Sequence, residues 1–509
     1  MLAQVLSDDD LLACLRVLRA IEADRSHLTR MTQGLRRELL TLAGLISRPE
    51  RHDLVRMARA FRRAEREAAK QHDRRLIDAA GLRLQRRSQV YAPLWLEPPK
   101  PDEIEPRPGL KHRIDCYVCK QPFTKLHHYY DSLCRDCGDF NYAKRGQSAD
   151  LSGRYALITG ARVKIGYQAS LKLLRAGVQV IVTTRFPVDA AQRYAAEADF
   201  ATFRRRLQIH GLDLRHTPSV ELFARFLLEH LPRLDYILNN ACQTVRRPAG
   251  FFRHLLAREA GAISALPSEL RDSLADHAEL RRRLAATHHP HGDAAGVLTP
   301  ITQQPPGEGI LRSAALSQRG YLDDDFRGGD SLFPKDRYDE DRQQVDLRRM
   351  NSWRLRMHEV ATPELLEVQL VNAVAPYILN ARLKPLMLRT PGAHKHIVNV
   401  SAMEGQFYRT TKTDRHPHTN MAKAALNMMT RTSASDFVKD GIHMNAVDTG
   451  WVTDEDPAVH AARKAELGFS PPLDIIDGAA RIVDPIFDGH LTGTHVWGQF
   501  LKDYKPAPW

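Results

Sequence analysis

The feature that most constrains this sequence is a regular alternation of strand-like and helix-like segments from Leu151 onward. Short apolar runs recur there, and most of them are followed by a helical pattern. The six runs are RYALIT, VQVIVT, LQIHGL, DYILNN, HKHIVNVS and HMNAV. Such alternation is typical of a parallel sheet with helices on both faces. We therefore predict an α/β, doubly wound (Rossmann-like) domain over residues 150–509.

One stretch interrupts the alternation, at about residues 245–346. It lacks clean periodicity and contains the segments THHPHGDAAG and ITQQPPGEG. We interpret it as a long insertion, partly helical and partly disordered. Its histidines lack the spacing of metal ligands, and we expect them to be exposed loop residues.

The N-terminal part of the chain has a different pattern. Residues 1–95 are predicted to form a helical module, because apolar residues such as Leu11, Leu15 and Leu18 recur at three- and four-residue steps. A proline-rich linker at residues 96–112 ends this module. We expect the helices to serve as a packing or protein-partner surface. No apolar run reaches the roughly 20 residues that cross a bilayer, and the acidic start of the chain argues against a secretory signal. A cytoplasmic protein is the expectation.

The formal net charge of +13 raises the question of nucleic-acid binding. The arginines are spread along the chain and are usually interleaved with Asp and Glu, as on solvated helix faces. We therefore expect no nucleic-acid partner, and a basic nucleic-acid-associated factor is kept only as a third hypothesis.

Four of the six cysteines form two close pairs within residues 113–142. Cys116 and Cys119 make one Cys-x-x-Cys pair, and Cys134 and Cys137 make the other. Two such pairs can surround one zinc ion with four thiolates, which leaves no coordination position for water. We predict a small zinc ribbon with one structural zinc; the alternative is four unrelated buried or redox cysteines. His127 and His128 are interpreted as loop residues rather than ligands.

The first strand–helix unit carries a glycine-bearing turn, in RYALITGARVKIGYQASLKLLRAG. A turn between a strand and a helix directs backbone N–H groups and the helix N-terminus at a pyrophosphate. Gly160 and Gly166 flank this turn. The unit therefore predicts a dinucleotide site, although the glycine spacing alone is weakly specific.

Several further elements follow in the order of the short-chain dehydrogenase/reductase family, which the chain resembles over about 260 residues. Thr159, Gly160 and Gly166 match three positions of that family's Thr-Gly-x-x-x-Gly-x-Gly turn, and Lys164 replaces its middle glycine. The resemblance implies a further set of cofactor-binding residues. They are Ile165 in the turn, Asp213 and Leu214 after the third strand, and Asn240 and Ala241 of an Asn239-Asn240-Ala241 signature in which Cys242 replaces a glycine.

Cofactor choice is made at the end of the second strand, where an acid would hold the ribose 2′-OH of NAD. This chain has Thr183, Thr184 and Arg185 there, without a carboxylate. A guanidinium suits a 2′-phosphate, and Arg162 could add a second cation. We predict NADP(H) rather than NAD(H).

The catalytic residues match the family only in part. The resemblance implies that Lys423 takes the position of the lysine that holds the nicotinamide ribose. It also implies that Asn372 takes the position of the asparagine that supports the family's proton relay. The tyrosine position is then Thr419, whose hydroxyl pKa is far too high to act like a phenol. The polarising serine position is Ala402, with Ser401 one residue away.

Three side chains are alternative proton donors. Tyr408 begins a Tyr-x-x-x-Lys sequence that ends at Lys412, but this sequence lies closer to Ala402 than is usual for the family's motif. His416 and His418 precede Thr419, and imidazole titrates near neutral pH; solvent-facing loop histidines are the equally open interpretation.

The segment NAVDTGWVTDEDP resembles the family's loop over the nicotinamide. Gly450 and Thr453 keep their places in it, and Thr449 replaces a proline. Asp448 and Trp451 would then lie near the substrate. Trp353 fits that place more loosely, with a core position as the alternative.

Three hypotheses follow. The first is an NADP(H)-dependent oxidoreductase that transfers hydride to or from a carbonyl or alcohol through an altered proton relay. The second is a catalytically silent NADP(H)-binding scaffold or sensor, and the third is the nucleic-acid-associated factor. The small-molecule substrate is not encoded in any motif; homo-oligomers are common in the family that the chain resembles.

Overall fold

The computed structural model describes residues 6–87, 108–287, 307–326, 329–339, 341–408 and 412–509. The chain divides into two compact units, Met1–Asp73 and Arg74–Trp509. The predicted linker at residues 96–112 and the histidine-rich part of the insertion lie largely outside the described residues. None of the helices in the described ranges combines the length and hydropathy that a bilayer crossing requires.

The first unit is helical, as the apolar periodicity predicts. Its helices are α1 (Asp8–Ala23), α2 (Gln33–Ser47) and the first part of α3 (Arg51–Asp78). A capping box formed by Ser7 and Asp10 begins α1. Neither α1 nor α2, both wholly described, contains a buried residue.

The second unit contains the other helices and all the strands of the described residues. The helices before the insertion are α4 (Gly81–Arg87), α5 (Arg135–Gly146), α6 (Lys164–Arg175), α7 (Pro187–Ala195), α8 (Phe200–Phe203) and α9 (Thr217–His230). Those of the insertion are α10 (Ala249–Glu259), α11 (Ser268–Ser273), α12 (Ala275–Thr287), α13 (Glu308–Leu311) and α14 (Asp323–Phe326). Those that follow are α15 (Thr362–Gln369), α16 (Ala375–Leu388), α17 (Pro417–Phe437), α18 (Ala458–Glu466) and α19 (Ile475–Thr492).

A small two-stranded hairpin precedes the main sheet of eight strands. The hairpin pairs β1 (Ile114–Asp115) with β2 (Pro122–Phe123). The main sheet has the order β10-β9-β8-β7-β6-β3-β4-β5. Its strands are β3 (Tyr155–Thr159), β4 (Gln179–Thr184), β5 (Leu207–Gly211), β6 (Tyr236–Asn239), β7 (Lys395–Ser401), β8 (Ile442–Asp448), β9 (Phe500–Lys502) and β10 (Lys505–Ala507).

The predicted doubly wound sheet is confirmed. All six predicted runs form strands, and β3 to β9 pair in parallel. Only the edge strand β10 runs antiparallel; the short pair β9 and β10 lacked a recognisable pattern in the sequence. Both faces are covered, since one apolar cluster packs α6 and α19 on the sheet and a second packs α9 and α16 on the other side.

The insertion lies between β6 and α15 and packs on the sheet edge that β5 forms. His277 lies in α12 and is buried against His210 of β5, with ring centres 6.0 Å apart, so the prediction that the insertion's histidines are exposed loop residues is wrong for this residue. Phe251, Phe252 and Phe333 of the insertion form an apolar cluster with Phe186, just after β4. The described part of the insertion is therefore mostly helical and packed, and it borders the carboxyl ends of β4 and β5.

Candidate functional site

The glycine turn joins β3 to α6 and is closely packed. Gly160 has a φ of +67°, and a Cβ there would lie 2.8 Å from the Cα of Ala241. A Cβ on Gly166 would lie 2.6 Å from the carbonyl oxygen of Gly160. Glycine is required at both positions because the chain must turn tightly and approach its neighbours.

The Asn239-Asn240-Ala241 segment braces this turn. The Asn240 amide donates to the carbonyls of Thr159 and Gly160 at 3.0 and 3.1 Å, and the Thr159 hydroxyl accepts from Ala241 N at 3.0 Å. Thr159 is buried. Its side chain holds the turn in shape rather than facing the cavity described next.

A cavity of about 380 Å³ lies along the carboxyl edge of the sheet, beside the turn. The predicted cofactor residues that line it are Gly160, Arg162, Lys164, Ile165, Gly166, Arg185, Asp213, Leu214, Asn240, Ala241 and Thr453. The insertion lines the same cavity with Arg246, Arg247, Phe251 and Phe252. The structure thus brings together residues that lie up to about 290 positions apart in the chain.

Arg185 is the cation of this cavity that has no anionic partner. Among the residues that the structure describes, its guanidinium makes no hydrogen bond or ion pair, and it lies 4.5 Å from the ring centre of Phe252. Burial lowers the pKa of Arg185 to about 10, and the nearby charge of Arg215 adds to this effect. Arg185 is therefore a buried guanidinium without a direct ion pair, and the carboxylates of Asp213 and Glu367 offset its charge only from a longer distance.

The other predicted contacts in this region are already engaged. The Arg162 guanidinium pairs with Asp189 at 2.7 Å, so it does not supply the free second cation that we expected. Asp213 pairs with Arg215 at 2.6 Å; burial opposes its ionisation, but Arg215 holds the pKa of Asp213 below its usual value. The sequence pattern showed neither partner, since each pairing depends on the fold.

Lys164 adopts the backbone conformation of the glycine that it replaces. Its φ is +56°, in the left-handed region that glycine favours. Its ammonium lies 3.9 Å from Asp341 of the insertion. Burial opposes the charged form, but the carboxylates of Glu455 and Asp341 raise the pKa of Lys164.

The residues carried over from the family's catalytic site are buried and engaged. The Lys423 ammonium donates to the Val400 carbonyl at 2.8 Å, and the Ser401 hydroxyl donates to Asn427 at 2.5 Å. Asn372 lies in a π-helical turn, Leu370–Val374, where its amide oxygen accepts from Gln243 N at 2.8 Å. Lys423, Ser401 and Thr419 do not line the cavity.

The alternative proton donors differ in their surroundings. Tyr408 is 81% exposed, and the three residues that separate it from Lys412 lie outside the described ranges. His418 is buried beside Thr419, 3.6 Å from Glu364. His416 stacks on Trp353 with ring centres 3.9 Å apart, so both of these residues pack against each other rather than facing solvent.

The loop after β8 passes close to the cysteine pairs. Gly450 has a φ of +76°, and Trp451 N donates to the hydroxyl of Tyr117 at 2.9 Å. Thr453 donates to Glu455 at 2.7 Å. Asp448 pairs with Lys502 at 3.2 Å, and burial raises the pKa of Asp448.

The four paired cysteines converge on one point. One sulfur from each of Cys116, Cys119, Cys134 and Cys137 lies within 4.8 Å of the other three. The first pair follows strand β1, and the second pair begins helix α5. His127 is buried and accepts hydrogen bonds from the backbone of Tyr129 and Tyr130, so it shapes the loop between the pairs.

The chain matches two related family models. Residues 154–258 match the model described as short chain dehydrogenase, and residues 350–467 match the model described as enoyl-(acyl carrier protein) reductase. The first match includes the glycine turn and the first residues of the insertion, and the second begins after the insertion and includes helix α17.

Among curated proteins, the chain is 29% identical over 404 residues to an uncharacterized protein of Acanthamoeba polyphaga mimivirus, covering 76% of this chain and 74% of that protein. It is 35% identical over 91 residues to (-)-isopiperitenone reductase of Mentha piperita, covering 17% of this chain and 28% of the reductase. It is 29% identical over 118 residues to retinol dehydrogenase 11 of Mus musculus, covering 22% of this chain and 37% of the dehydrogenase. The matches to the two named enzymes thus span well under half of their length.

Among solved structures, the NADP complex of RhlG from Pseudomonas aeruginosa is similar, with 16% identity, a TM-score of 0.41, and coverage of 69% of this chain and 95% of that one. The two family models and the shared order of motifs, from the glycine turn to the loop after β8, agree. The chain belongs to the short-chain dehydrogenase/reductase family.

Proposed function

We propose that this chain is an NADP(H)-dependent oxidoreductase that transfers hydride to or from a carbonyl or alcohol substrate, with an altered proton relay. The observation that carries the proposal is the unpaired guanidinium of Arg185 in the cavity beside the glycine turn. A 2′-phosphate would supply the anion that this buried cation lacks. Charge-assisted contacts of this kind are stronger than neutral ones.

The rest of the cavity fits the other parts of the cofactor. The backbone of Gly160 and the N-terminus of α6 would face the pyrophosphate, with the Lys164 ammonium beside them. Asp213 and Leu214 would lie at the adenine and Thr453 at the nicotinamide end, while Gly450, in the same loop as Thr453, does not line the cavity. NAD(H) is the weaker fit, because no carboxylate stands directly at the end of β4 to accept from a ribose 2′-OH, and the next one, Asp189, is paired with Arg162.

The bound nicotinamide would supply or accept the hydride, and this chain would position the reactants and move the proton. Lys423, whose ammonium donates to the Val400 carbonyl near the end of β7, would hold the nicotinamide ribose. Asn372 keeps the segment after β6 in place through Gln243. Thr419 is not acidic enough to donate the proton, so the donor must be another group. Of the three alternative donors, His416 is bonded through Nδ1 to the Trp353 carbonyl at 2.9 Å, so Tyr408 and His418 are the candidates.

A turnover assay tests this proposal. Purified protein is mixed with NADPH and a panel of aldehydes, ketones and quinones, and the absorbance of NADPH is followed. We expect turnover with at least one class, its loss in Lys423→Ala, and a marked reduction in either Tyr408→Phe or His418→Gln but not in both. An enzyme that turns over equally well without Lys423 would contradict the proposed site.

The second candidate function is a silent NADP(H)-binding scaffold or sensor. Two observations favour it: Thr419 and Ala402 replace the relay residues, and the cavity does not reach Lys423 or Ser401. Tight NADPH binding without turnover across the whole panel would favour this function over the enzyme.

We also propose that the four cysteines bind one structural zinc ion. Their sulfurs are close enough to surround a single ion, and four thiolates leave it no open position. Metal analysis of the purified protein should find about one zinc per chain; the absence of zinc after preparation without chelators would contradict the site.

The exposed apolar side chains of the first unit support a protein partner for the helical module. Leu11, Leu12 and Leu15 of α1 are each about half exposed. We propose that this module binds a protein, either a second copy or another chain, in the cytoplasm. Light scattering of the chain with and without residues 1–73 would distinguish self-association from a monomer.

A further inference from the structure

The cysteine module packs against the loop after β8, which would cover the nicotinamide, through an apolar cluster that includes Cys116 and Val452, and one hydrogen bond between module and loop is made by Tyr117. This residue lies inside the first Cys-x-x-Cys pair, between Cys116 and Cys119. Its hydroxyl accepts a hydrogen bond from Trp451 N at 2.9 Å. A Cβ on Gly450 would lie 3.4 Å from the same hydroxyl oxygen. Tyr117 therefore contacts the loop at the glycine where it turns.

The backbone of Tyr117 is fixed by the turn that carries the two sulfurs. Its N–H donates to Ser132 O at 2.8 Å, and Lys120 N donates to Cys116 O at 3.0 Å. The sulfur of Cys116 accepts from Cys134 N at 3.3 Å. An ion held by the four sulfurs would tie this turn to the start of α5. The position of the Tyr117 hydroxyl thus depends on the geometry around the sulfurs.

Arg86 holds the part of this loop that follows Trp451. Arg86 of α4 donates to the carbonyls of Pro471 and Leu473 at 2.8 and 2.6 Å and to that of Val452 at 3.2 Å. These contacts fix the later part of the loop without using the cysteine pairs. Trp451, which directly follows Gly450, also accepts from Leu473 N at 3.3 Å and packs on the ring of Phe469. Its own N–H donates to Tyr117.

Helix α5, which begins at the second cysteine pair, is anchored independently to α19. Arg145 of α5 pairs with Asp474 at 2.7 Å and with Asp477 at 2.9 Å, and all three side chains are buried. Tyr130, in the loop between the cysteine pairs, donates to Asp477 at 2.5 Å. Loss of the ion would therefore leave α5 docked, while the first cysteine pair, which carries Tyr117, would keep only its backbone hydrogen bonds and apolar contacts.

We propose that the cysteine module controls the loop over the nicotinamide, and that Tyr117 is the positioning residue that transmits metal occupancy to Gly450 and Trp451. This role rests on the proposed function for its effect on the cofactor, and on the proposed zinc site. Its structural part, the coupling of the sulfurs to the Trp451 amide, holds without a bound cofactor. The module is thus more than a folding device, because its metal state sets how firmly the Trp451 amide is held.

Hydrogen exchange at the Trp451 amide tests the coupling in the full chain without any cofactor. Tyr117→Phe removes only the hydroxyl. One hydrogen bond is worth about 1 kcal/mol, so exchange should become about fivefold faster while zinc content stays that of the wild type. Tyr142→Phe, whose ring packs against His128 inside the same module, is the matched control and should leave Trp451 exchange unchanged.

Removal of the metal is the second part of the hydrogen-exchange experiment. A chelator should accelerate Trp451 exchange in the wild type and change it much less in Tyr117→Phe, since coupled effects are not additive. Equal acceleration in both proteins, or unchanged exchange in Tyr117→Phe, would overturn the proposal.

A titration with NADPH then links the loop to the cofactor. The dissociation constant should rise about fivefold in Tyr117→Phe. If the wild type bound no NADPH, the proposed function would fail while the exchange experiment would still decide the coupling. If Tyr117→Phe loosened the loop but left NADPH affinity unchanged, the control of the cofactor would be refuted.

Discussion

The guanidinium of Arg185 lies 4.5 Å from the ring centre of Phe252, a residue that the insertion brings to the end of β4. The hydroxyl of Ser313, also in the insertion, donates to the Arg185 carbonyl at 2.9 Å. The insertion thus forms one wall of the cavity in which the predicted 2′-phosphate would bind. An aromatic face can hold the cation in place while its charge stays available to an anion.

Replacement of Arg185 should abolish the preference for NADPH over NADH. In Arg185→Gln we expect NADPH affinity to fall roughly 10- to 100-fold, because a hydrogen bond to a charged group is worth about 1.5–3 kcal/mol. NADH affinity should hardly change. Arg175→Gln, which removes a guanidinium already paired with Asp199, is the control and should keep both affinities. Parallel losses for NADPH and NADH in Arg185→Gln would refute a role in 2′-phosphate recognition.

Lys164 combines a glycine-like backbone with a charge in the cavity, and two variants separate these properties. Lys164→Ala keeps the positive φ and loses the ammonium, whereas Lys164→Gly loses both the ammonium and the strain. NADPH affinity should fall in both. Lys164→Gly should be more stable to urea than Lys164→Ala by roughly 1 kcal/mol, since a left-handed conformation costs a non-glycine residue about that much. Equal unfolding midpoints would mean that this turn stores no strain.

The buried side chain of His210 should make the stability of the folded chain depend on pH. Burial lowers its pKa to about 3, while an unfolded histidine titrates near pH 6.5. Between these values the unfolded chain binds a proton that the folded chain does not, so stability falls as pH drops, by about 1.4 kcal/mol per pH unit for this one group.

The variant His210→Leu should therefore lose less thermal stability between pH 7 and pH 5 than the wild type does. His52→Leu, at a largely exposed histidine, should lose as much as the wild type. Identical pH dependence of the melting temperature in His210→Leu and the wild type would contradict the buried neutral state of His210.

The cysteine cluster predicts that loss of one ligand lowers both metal content and stability. Cys137→Ser should lose zinc and melt at a lower temperature than the wild type, because ion binding stabilises the folded chain. Cys14→Ser, at an exposed cysteine of the first unit, should keep both properties. Full zinc content in Cys137→Ser would remove this residue from the ligand set.

The sheet and the glycine turn could be predicted because their signals are local. Strand runs, turn glycines and the Cys-x-x-Cys pairs each fall within a few residues, and backbone geometry fixes what they form. The capture of Arg162 by Asp189 and of Asp213 by Arg215 could not be predicted. Those pairings depend on which side chains the folded loops bring together.

The insertion and Tyr117 illustrate a second limit of the sequence. Phe252 and Arg185 are distant in the chain and meet only because the insertion packs back on the edge of the sheet. Tyr117 contacts Trp451 across more than 300 residues. No periodicity or spacing marks such contacts, since they arise from the packing of separate elements.

In the proposed function, the turn at Gly160 and the cation of Arg185 hold a phosphorylated dinucleotide. Isothermal titration calorimetry of the purified full chain with NADPH, and then with NADH, measures this directly. We expect one NADPH per chain, bound at least tenfold more tightly than NADH, in line with roughly 1.5–3 kcal/mol for the contact to Arg185. Absence of binding for both dinucleotides would refute the proposed cofactor site.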